Sequence, residues 1–259
     1  MEQKLIAFDL DGTLLTNQKQ PLPSTLLAIE QLQQQGHFVM IATGRNRFLA
    51  QPIMEQTNIH DAVLCNGSAA LVKNQLVYDT PLVATELQHL QQQLAIQTVD
   101  LALVGLDATK RLTTYREAWM AEAMQSFGSN TPELDADYFT EQAIYQGLAY
   151  YDEGLAFDDT CYEHLDFVRW HPKCVDVIPK GGSKAVTLLE VANQLGLKRE
   201  QVIAFGDGLN DREMLREVGV GIAMGNAVAE VQRCADLVTT SNEADGIWVA
   251  LEKMNLVKK

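Results

Sequence analysis

Residues Leu5 to Thr16 read LIAFDLDGTLLT, and the reading of this stretch decides the fold. Leu5, Ile6, Ala7 and Phe8 form a short apolar run without alternation, the pattern of a strand buried on both faces in a parallel sheet. The run ends in two carboxylates, Asp9 and Asp11, followed by Gly12. An Asp-Gly pair is a common turn signal and accounts for Asp11 and Gly12. It leaves Asp9 unaccounted for. If the chain stays extended, alternation puts both carboxylates on one side, roughly 6.5 Å apart at a rise of about 3.3 Å per residue. Two carboxylates so close raise one another's pKa, so either a cation sits between them or one holds a proton.

The pattern repeats along the chain. Leu26, Leu27, Ile29 and Leu32 recur at helical spacing between Pro23 and Gly36, with proline near the start and glycine past the end. HFVMIATGR (37–45) reads as a second buried strand ending in the loop Thr43-Gly44-Arg45, and DAVLCNGS (61–68) as a third ending at Asn66-Gly67. After Gly182 the same alternation resumes: a helix from Ser183 to Leu195, the strand and loop QVIAFGDGLND, a helix from Asp211 to Val218, and the short strands VGIAM and DLVTT. In open parallel α/β sheets ligands bind outside the carboxyl ends of the strands, so the polar tips mark one site. The stretch between differs. A helix over Val83 to Gln97 precedes short apolar runs in pairs (VDLALVGLD and RLTTY, IYQGLAYY, LDFVRWHP, CVDVIP), which predicts an α+β unit with an antiparallel sheet. The expected architecture is therefore a Rossmann-like, doubly wound parallel-sheet core formed by residues 1–81 and 179–259, with residues 82–178 inserted as a second domain.

Composition narrows the function. The 259 residues hold 20 basic against 34 acidic side chains, a net charge of −14, which argues against nucleic acid or an anionic membrane as partner. An anionic substrate then needs a metal or a few placed cations. Cys65, Cys161, Cys174 and Cys234 lie far apart without a C-x-x-C pair, which argues against a zinc site or a disulfide framework and for a reduced, cytoplasmic setting. The N-terminal residues show no apolar signal region, no stretch is long enough to span a bilayer, and no obligate protein partner is inferred.

Asp9 with Asp11, Thr43, Lys184, and Asp207 with Asn210 and Asp211 thus share strand ends or a helix start in one domain. A carboxylate nucleophile attacks phosphorus well when a divalent ion and a cation neutralise the phosphoryl oxygens, and a second carboxylate must protonate the leaving oxygen and later deprotonate water. Each cluster alone has a bland reading: Asp11-Gly12 and Asp207-Gly208 as turns, Thr43-Gly44-Arg45 as a loop, Lys184 as a solvated first-turn lysine, Asn210 as an N-cap. Asn66 reads equally as a turn residue.

The ordered set resembles the haloacid dehalogenase superfamily of phosphohydrolases, in the Cof-like branch with an α/β cap between the second and third motifs. DLDGT (Asp9 to Thr13), IATGR at Thr43, Lys184 in KGGSKA, and GDGLND (Gly206 to Asp211) match the four motifs in order, and CNGS and SNEADGI (Ser241 to Ile247) are further signatures of the branch. The resemblance implies an Mg²⁺-dependent phosphatase of small phosphorylated metabolites, sugar phosphates first, with pyridoxal phosphate or a nucleotide as alternatives. It implies Asp9 as the nucleophile that becomes an aspartyl phosphate and Asp11 as general acid and base. Thr43, Gly44, Lys184 and Asn210 would bind phosphate, and Asp9, Asp11 through its backbone carbonyl, Asp207 and Asp211 would serve the metal. Arg116, Arg169, Trp170 and His171 of the inserted domain are the candidates for substrate selection. Two rival readings are a phosphomutase or phosphotransferase, and a receiver-like signalling module phosphorylated on Asp9; a second carboxylate at Asp11 and the inserted domain favour turnover.

Overall fold

A computed structural model describes residues 2–126, 128–140 and 142–258. In chain order the elements are β1 (Leu5–Phe8), α1 (Pro23–Gln34), β2 (Phe38–Ala42), α2 (Arg47–Thr57), β3 (Asp61–Leu64), β4 (Ala69–Val72), β5 (Gln75–Asp79), α3 (Ala84–Ile96), β6 (Asp100–Val104), β7 (Thr109–Arg111), α4 (Glu117–Ser126), β8 (Glu133–Leu134), β9 (Gln146–Tyr150), β10 (Leu165–His171), β11 (Cys174–Pro179), α5 (Lys184–Gln194), β12 (Val202–Gly206), α6 (Arg212–Glu217), β13 (Val220–Ala223), α7 (Ala229–Gln232), β14 (Leu237–Val238) and α8 (Gly246–Lys253). The chain divides into two compact units. One comprises Met1–Arg45, Leu49–Tyr78 and Ser183–Lys259, the other Asn46–Phe48 and Asp79–Gly182.

The first unit is built on an eight-stranded sheet in the order β14-β13-β12-β1-β2-β3-β4-β5. The strands from β14 to β3 run parallel, and β4 pairs antiparallel with β3. Parallel strands with helices on both faces must be apolar throughout. Leu5 and Ala7 accordingly join Met40, Ala204, Leu188 and Met214 in a core shared with α5 and α6, while α1 packs against β2 and α8. From β1 the chain winds to β2 on one side and returns as β12 on the other. The reversal of strand order between β1 and β12 opens a crevice at their carboxyl ends. A hairpin absent from the sequence reading, β4 to β5, turns on Lys73 and Asn74, both at positive φ (51° and 61°). Such turns are usually signalled by Asn-Gly or Asp-Gly, and a lysine in the first position carries no such signal.

The inserted unit holds a six-stranded sheet in the order β10-β11-β9-β6-β7-β8, antiparallel except for the short β7–β8 pair. Leu87, Leu90 and Leu94 of α3 bury against Leu101, Leu103, Val175 and Val177 on one face. Across the described residues, no helix is long and apolar enough to cross a membrane.

Candidate active site

The strand β1 ends at Phe8, and the chain does not continue extended through Asp11. It coils at once: the N–H groups of Leu14 and Leu15 donate back to the carbonyls of Asp9 and Leu10. The spacing expected for two extended carboxylates therefore does not apply, because the backbone groups past the sheet edge find partners within their own turn. Gly12 permits the turn at φ +87°, and a Cβ there would lie 2.2 Å from Oδ2 of Asp207. The glycine serves the close approach of the β12 loop as much as the turn itself.

Asp9 is buried, 6% exposed, and lies 2.6 Å from Nζ of Lys184 through Oδ1. Lys184 opens α5, whose N-cap Ser183 accepts from the N–H of Val186, yet its side chain turns inward and is 1% exposed. Its second bond runs to Oδ1 of Asp211 at 2.8 Å. Asp211 in turn accepts from the backbone N–H groups of Asp207 and Gly208 at 3.0 and 2.9 Å, which fixes the loop after β12. Gly67 brings the turn after β3 against the start of α5. Its φ is +105°, a Cβ would lie 2.3 Å from the Ser183 carbonyl, and its own carbonyl accepts from Oγ1 of Thr187 at 2.5 Å.

The electrostatics follow from burial. Desolvation, with Asp211 and then Asp207 as like charges, pushes Asp9 well above the ordinary carboxylate value against the opposing pull of Lys184. Burial works against the charge of Lys184, but Asp211 and Asp9 outweigh it, so the ammonium is held above the ordinary lysine value. Asp207 is pushed up to about 6, chiefly by burial; the Thr13 hydroxyl, donating to its Oδ1 at 2.7 Å, opposes the shift and the charge of Asp211 adds to it. One ammonium thus faces three carboxylates. Oxygens of Asp9, Asp207 and Asp211 lie within 4.8 Å of one another, and among the described residues these three form the candidate metal-holding cluster. An all-oxygen donor set with surplus negative charge fits a hard divalent cation.

Asp11 stands apart from that cluster. Its carboxylate accepts from Nε and Nη2 of Arg45 at 2.8 and 2.7 Å and from Nζ of Lys19 at 2.7 Å. Burial would raise its pKa, but Arg45 and Lys19 hold it below the ordinary value. Thr43 is buried and accepts from the N–H of Arg45, and Gly44 lies against the side chain of Asn66. Asn66, at φ 55°, accepts from Asn210 at 3.1 Å.

Residues 6–251 match the family profile of haloacid dehalogenase-like hydrolases. The chain belongs to the haloacid dehalogenase superfamily. It is a phosphoric monoester hydrolase of the Cof-like branch. It is 36% identical over 258 residues, covering 100% of both chains, to a Bacillus subtilis (strain 168) protein named "Putative phosphatase YkrA". It is 31% identical to the 5-amino-6-(5-phospho-D-ribitylamino)uracil phosphatase YitU of the same organism, over 95% of this chain and 96% of that one. A solved structure from Geobacillus kaustophilus HTA426 superposes with a TM-score of 0.90 at 35% identity, covering 99% and 100% of the two chains.

Asn226, beside the cluster, lies in none of the motifs that the sequence marks. Asn226 donates to the Gly12 carbonyl at 2.8 Å and to Oδ2 of Asp207 at 3.3 Å, and it accepts from the N–H of Asn242. Asn242, of the SNEADGI signature, also donates to the Leu15 carbonyl. The signature therefore braces the turn that carries Asp9 to Thr13. In the inserted unit, Nη1 of Arg169 donates to the carbonyls of Tyr151, His171 and Pro172, and its guanidinium lies over the Tyr151 ring. Arg116 stacks on Trp119. The rings of Trp170 and His171 neighbour one another and, with Asp152, Glu153 and Pro172, line a cavity of about 590 Å³.

Proposed function

We propose that the enzyme hydrolyses small phosphorylated metabolites, sugar phosphates first among them, by forming and hydrolysing an acyl phosphate on Asp9 with the help of Mg²⁺. The observation that carries this reading is the Asp9 carboxylate, buried 2.6 Å from the Lys184 ammonium and grouped with Asp207 and Asp211. Asp9 attacks phosphorus through a carboxylate oxygen, and the ester oxygen leaves with the electron pair of the breaking P–O bond. Asp11 gives that oxygen a proton. Lys184 faces the phosphoryl oxygens as a fixed positive charge, and the Thr43 hydroxyl and Asn210 amide add hydrogen bonds. Mg²⁺, held by Asp9, Asp207 and Asp211, would neutralise charge on the phosphoryl group so that an anionic nucleophile can approach it. In the second half, Asp11 takes a proton from water as the water oxygen attacks phosphorus, and Asp9 is released as carboxylate.

The substrate class draws support from the relatives. YitU is named for a phosphorylated ribityl compound, and an Escherichia coli (strain K12) relative, 29% identical over 95% of this chain and 97% of that one, is named pyridoxal phosphate phosphatase YbhA. Selection among such metabolites is assigned to the inserted unit.

The test is hydrolysis of an aryl phosphate with and without Mg²⁺ by wild type, Asp9→Asn and Asp11→Asn. Excess chelator should abolish turnover. Asp9→Asn should be inactive on every ester, whereas Asp11→Asn should still be phosphorylated by an aryl ester, whose leaving group needs little protonation, and release phosphate slowly. Undiminished turnover in chelator, or equal loss of both chemical steps in the two variants, would refute the assignment.

A further inference from the structure

Asp11 is the group on which both halves of the proposed reaction depend, and its direction is not set by its own turn. Three donors converge on its two oxygens, two from Arg45 in the loop after β2 and one from Lys19, eight residues on from Asp11. Arg45 offers a two-point fork, Nε to Oδ2 and Nη2 to Oδ1, and Lys19 adds a second donor to Oδ1. A fork of this kind fixes the plane of a carboxylate as well as its position. The arginine is itself anchored: its N–H donates to Oγ1 of Thr43, its carbonyl accepts from the N–H of Cys65, and its side chain is 17% exposed. Lys19 is looser, at 43%.

A carboxylate oxygen has two in-plane lone pairs. Oδ1 of Asp11 has both engaged, by Lys19 and Arg45, while Oδ2 has one engaged, by Arg45. We propose that Arg45, with a smaller contribution from Lys19, is a positioning residue that makes Oδ2 the working oxygen of Asp11, chiefly in the water-activating half of the reaction. The inference rests on the assignment of Asp9 and Asp11 given above. In that half, the water oxygen bonds to the phosphorus carried on Asp9, and the bond between phosphorus and the Asp9 oxygen breaks with its electron pair returning to Asp9. The displaced water proton goes to Oδ2. The three bonds leave the carboxylate one open in-plane direction, on Oδ2, in which to take that proton.

The proposal separates the two chemical steps. With an aryl phosphate, kcat/KM reports phosphorylation of Asp9, which needs no acid, and kcat reports release of phosphate. Arg45→Ala in the full-length enzyme with Mg²⁺ should lower kcat on the order of tenfold or more, with accumulation of phosphoenzyme in a rapid-quench experiment, while kcat/KM stays within a few-fold. Arg45→Lys should recover part of the loss, and Lys19→Ala should lose less than Arg45→Ala. Added to Asp11→Asn, the Arg45→Ala change should have almost no further effect, because residues acting through one group are not additive. If the arginine loss appears in full on top of Asp11→Asn, or if Arg45→Ala raises KM with kcat unchanged, Arg45 acts on substrate directly and the proposal falls. If the alanine variant does not fold, Arg45→Gln carries the same cycle. Should Asp11→Asn itself leave both steps intact, the assignment of Asp11 fails first, a result distinct from an additive arginine effect.

Discussion

Replacing Asp207 with asparagine should stabilise the metal-free protein while removing its activity. Asp207 ionises at about 6 in the folded chain against an ordinary value of 3.8, chiefly because of burial. The folded protein therefore holds this proton more tightly than the unfolded chain does, and stability is lost as pH rises from 3.8 through about 6. A difference of that size corresponds to about 3 kcal/mol at pH 7, an upper value because the side chain retains some solvent contact. The amide carries no charge and escapes this cost, but it accepts a weaker hydrogen bond from Thr13, which returns about 1 kcal/mol. A net gain of about 1–2 kcal/mol translates to about 2–8 °C in Tm for a chain of this size. Calorimetry in chelator should find that difference at pH 7 and see most of it gone near pH 4, where the folded Asp207 is protonated and the unfolded one is about half so. The lowered pKa of Asp11 acts with opposite sign, at and below its ordinary range, and is common to both proteins. With saturating Mg²⁺ the order should reverse, since only the wild type keeps all three carboxylates proposed to hold the ion. A variant no more stable than wild type at pH 7 in chelator, or a difference that does not change between pH 4 and 7, would refute the reasoning.

Two further outcomes follow from particular contacts. Gly12→Ala puts a Cβ 2.2 Å from Oδ2 of Asp207 at a φ of +87°, so the carboxylate must move; titration calorimetry should show Mg²⁺ affinity reduced on the order of tenfold or more, in line with loss of a group that orients a ligand, and unchanged affinity would contradict the role given to Asp207. In the inserted unit, Arg169→Ala removes three bonds to backbone carbonyls and should lower both Tm and activity on every ester, whereas Trp170→Ala and His171→Ala should lower kcat/KM for the best metabolite on the order of tenfold and spare an aryl phosphate. Parallel loss on both esters in the Trp170 and His171 variants would make those rings structural.

Much of the core could be read from local pattern because its strands are buried on both faces and its helices on one. LIAF, FVMIA and VIAFG need no knowledge of their neighbours to be recognised as interior strands. Pro23 and Gly36 bound α1 where local backbone chemistry requires. The polar tips could be found the same way, since Asp9, Thr43 and Asp207 each follow an apolar run directly. The β4–β5 hairpin was missed because Lys73 takes a conformation its side chain does not advertise.

Residue types and their order along the chain determined the α/β core, the inserted unit and the carboxylates that follow its strands. Partners were decided only by the folded chain. Parallel pairing sets β1 beside β12, which brings Asp207 against Gly12 and Thr13, and the winding of α5 turns Lys184 inward to Asp9 and Asp211. Asp11 was legible as a carboxylate near Asp9, but not as the acceptor for Arg45 and Lys19, since the chain coils after Asp9 where an extended reading carries it straight on. The physical reason is one of range. Burial and turn formation are encoded residue by residue, whereas an ion pair, a close approach or a shifted pKa depends on which distant segment arrives beside a group and how much water it displaces.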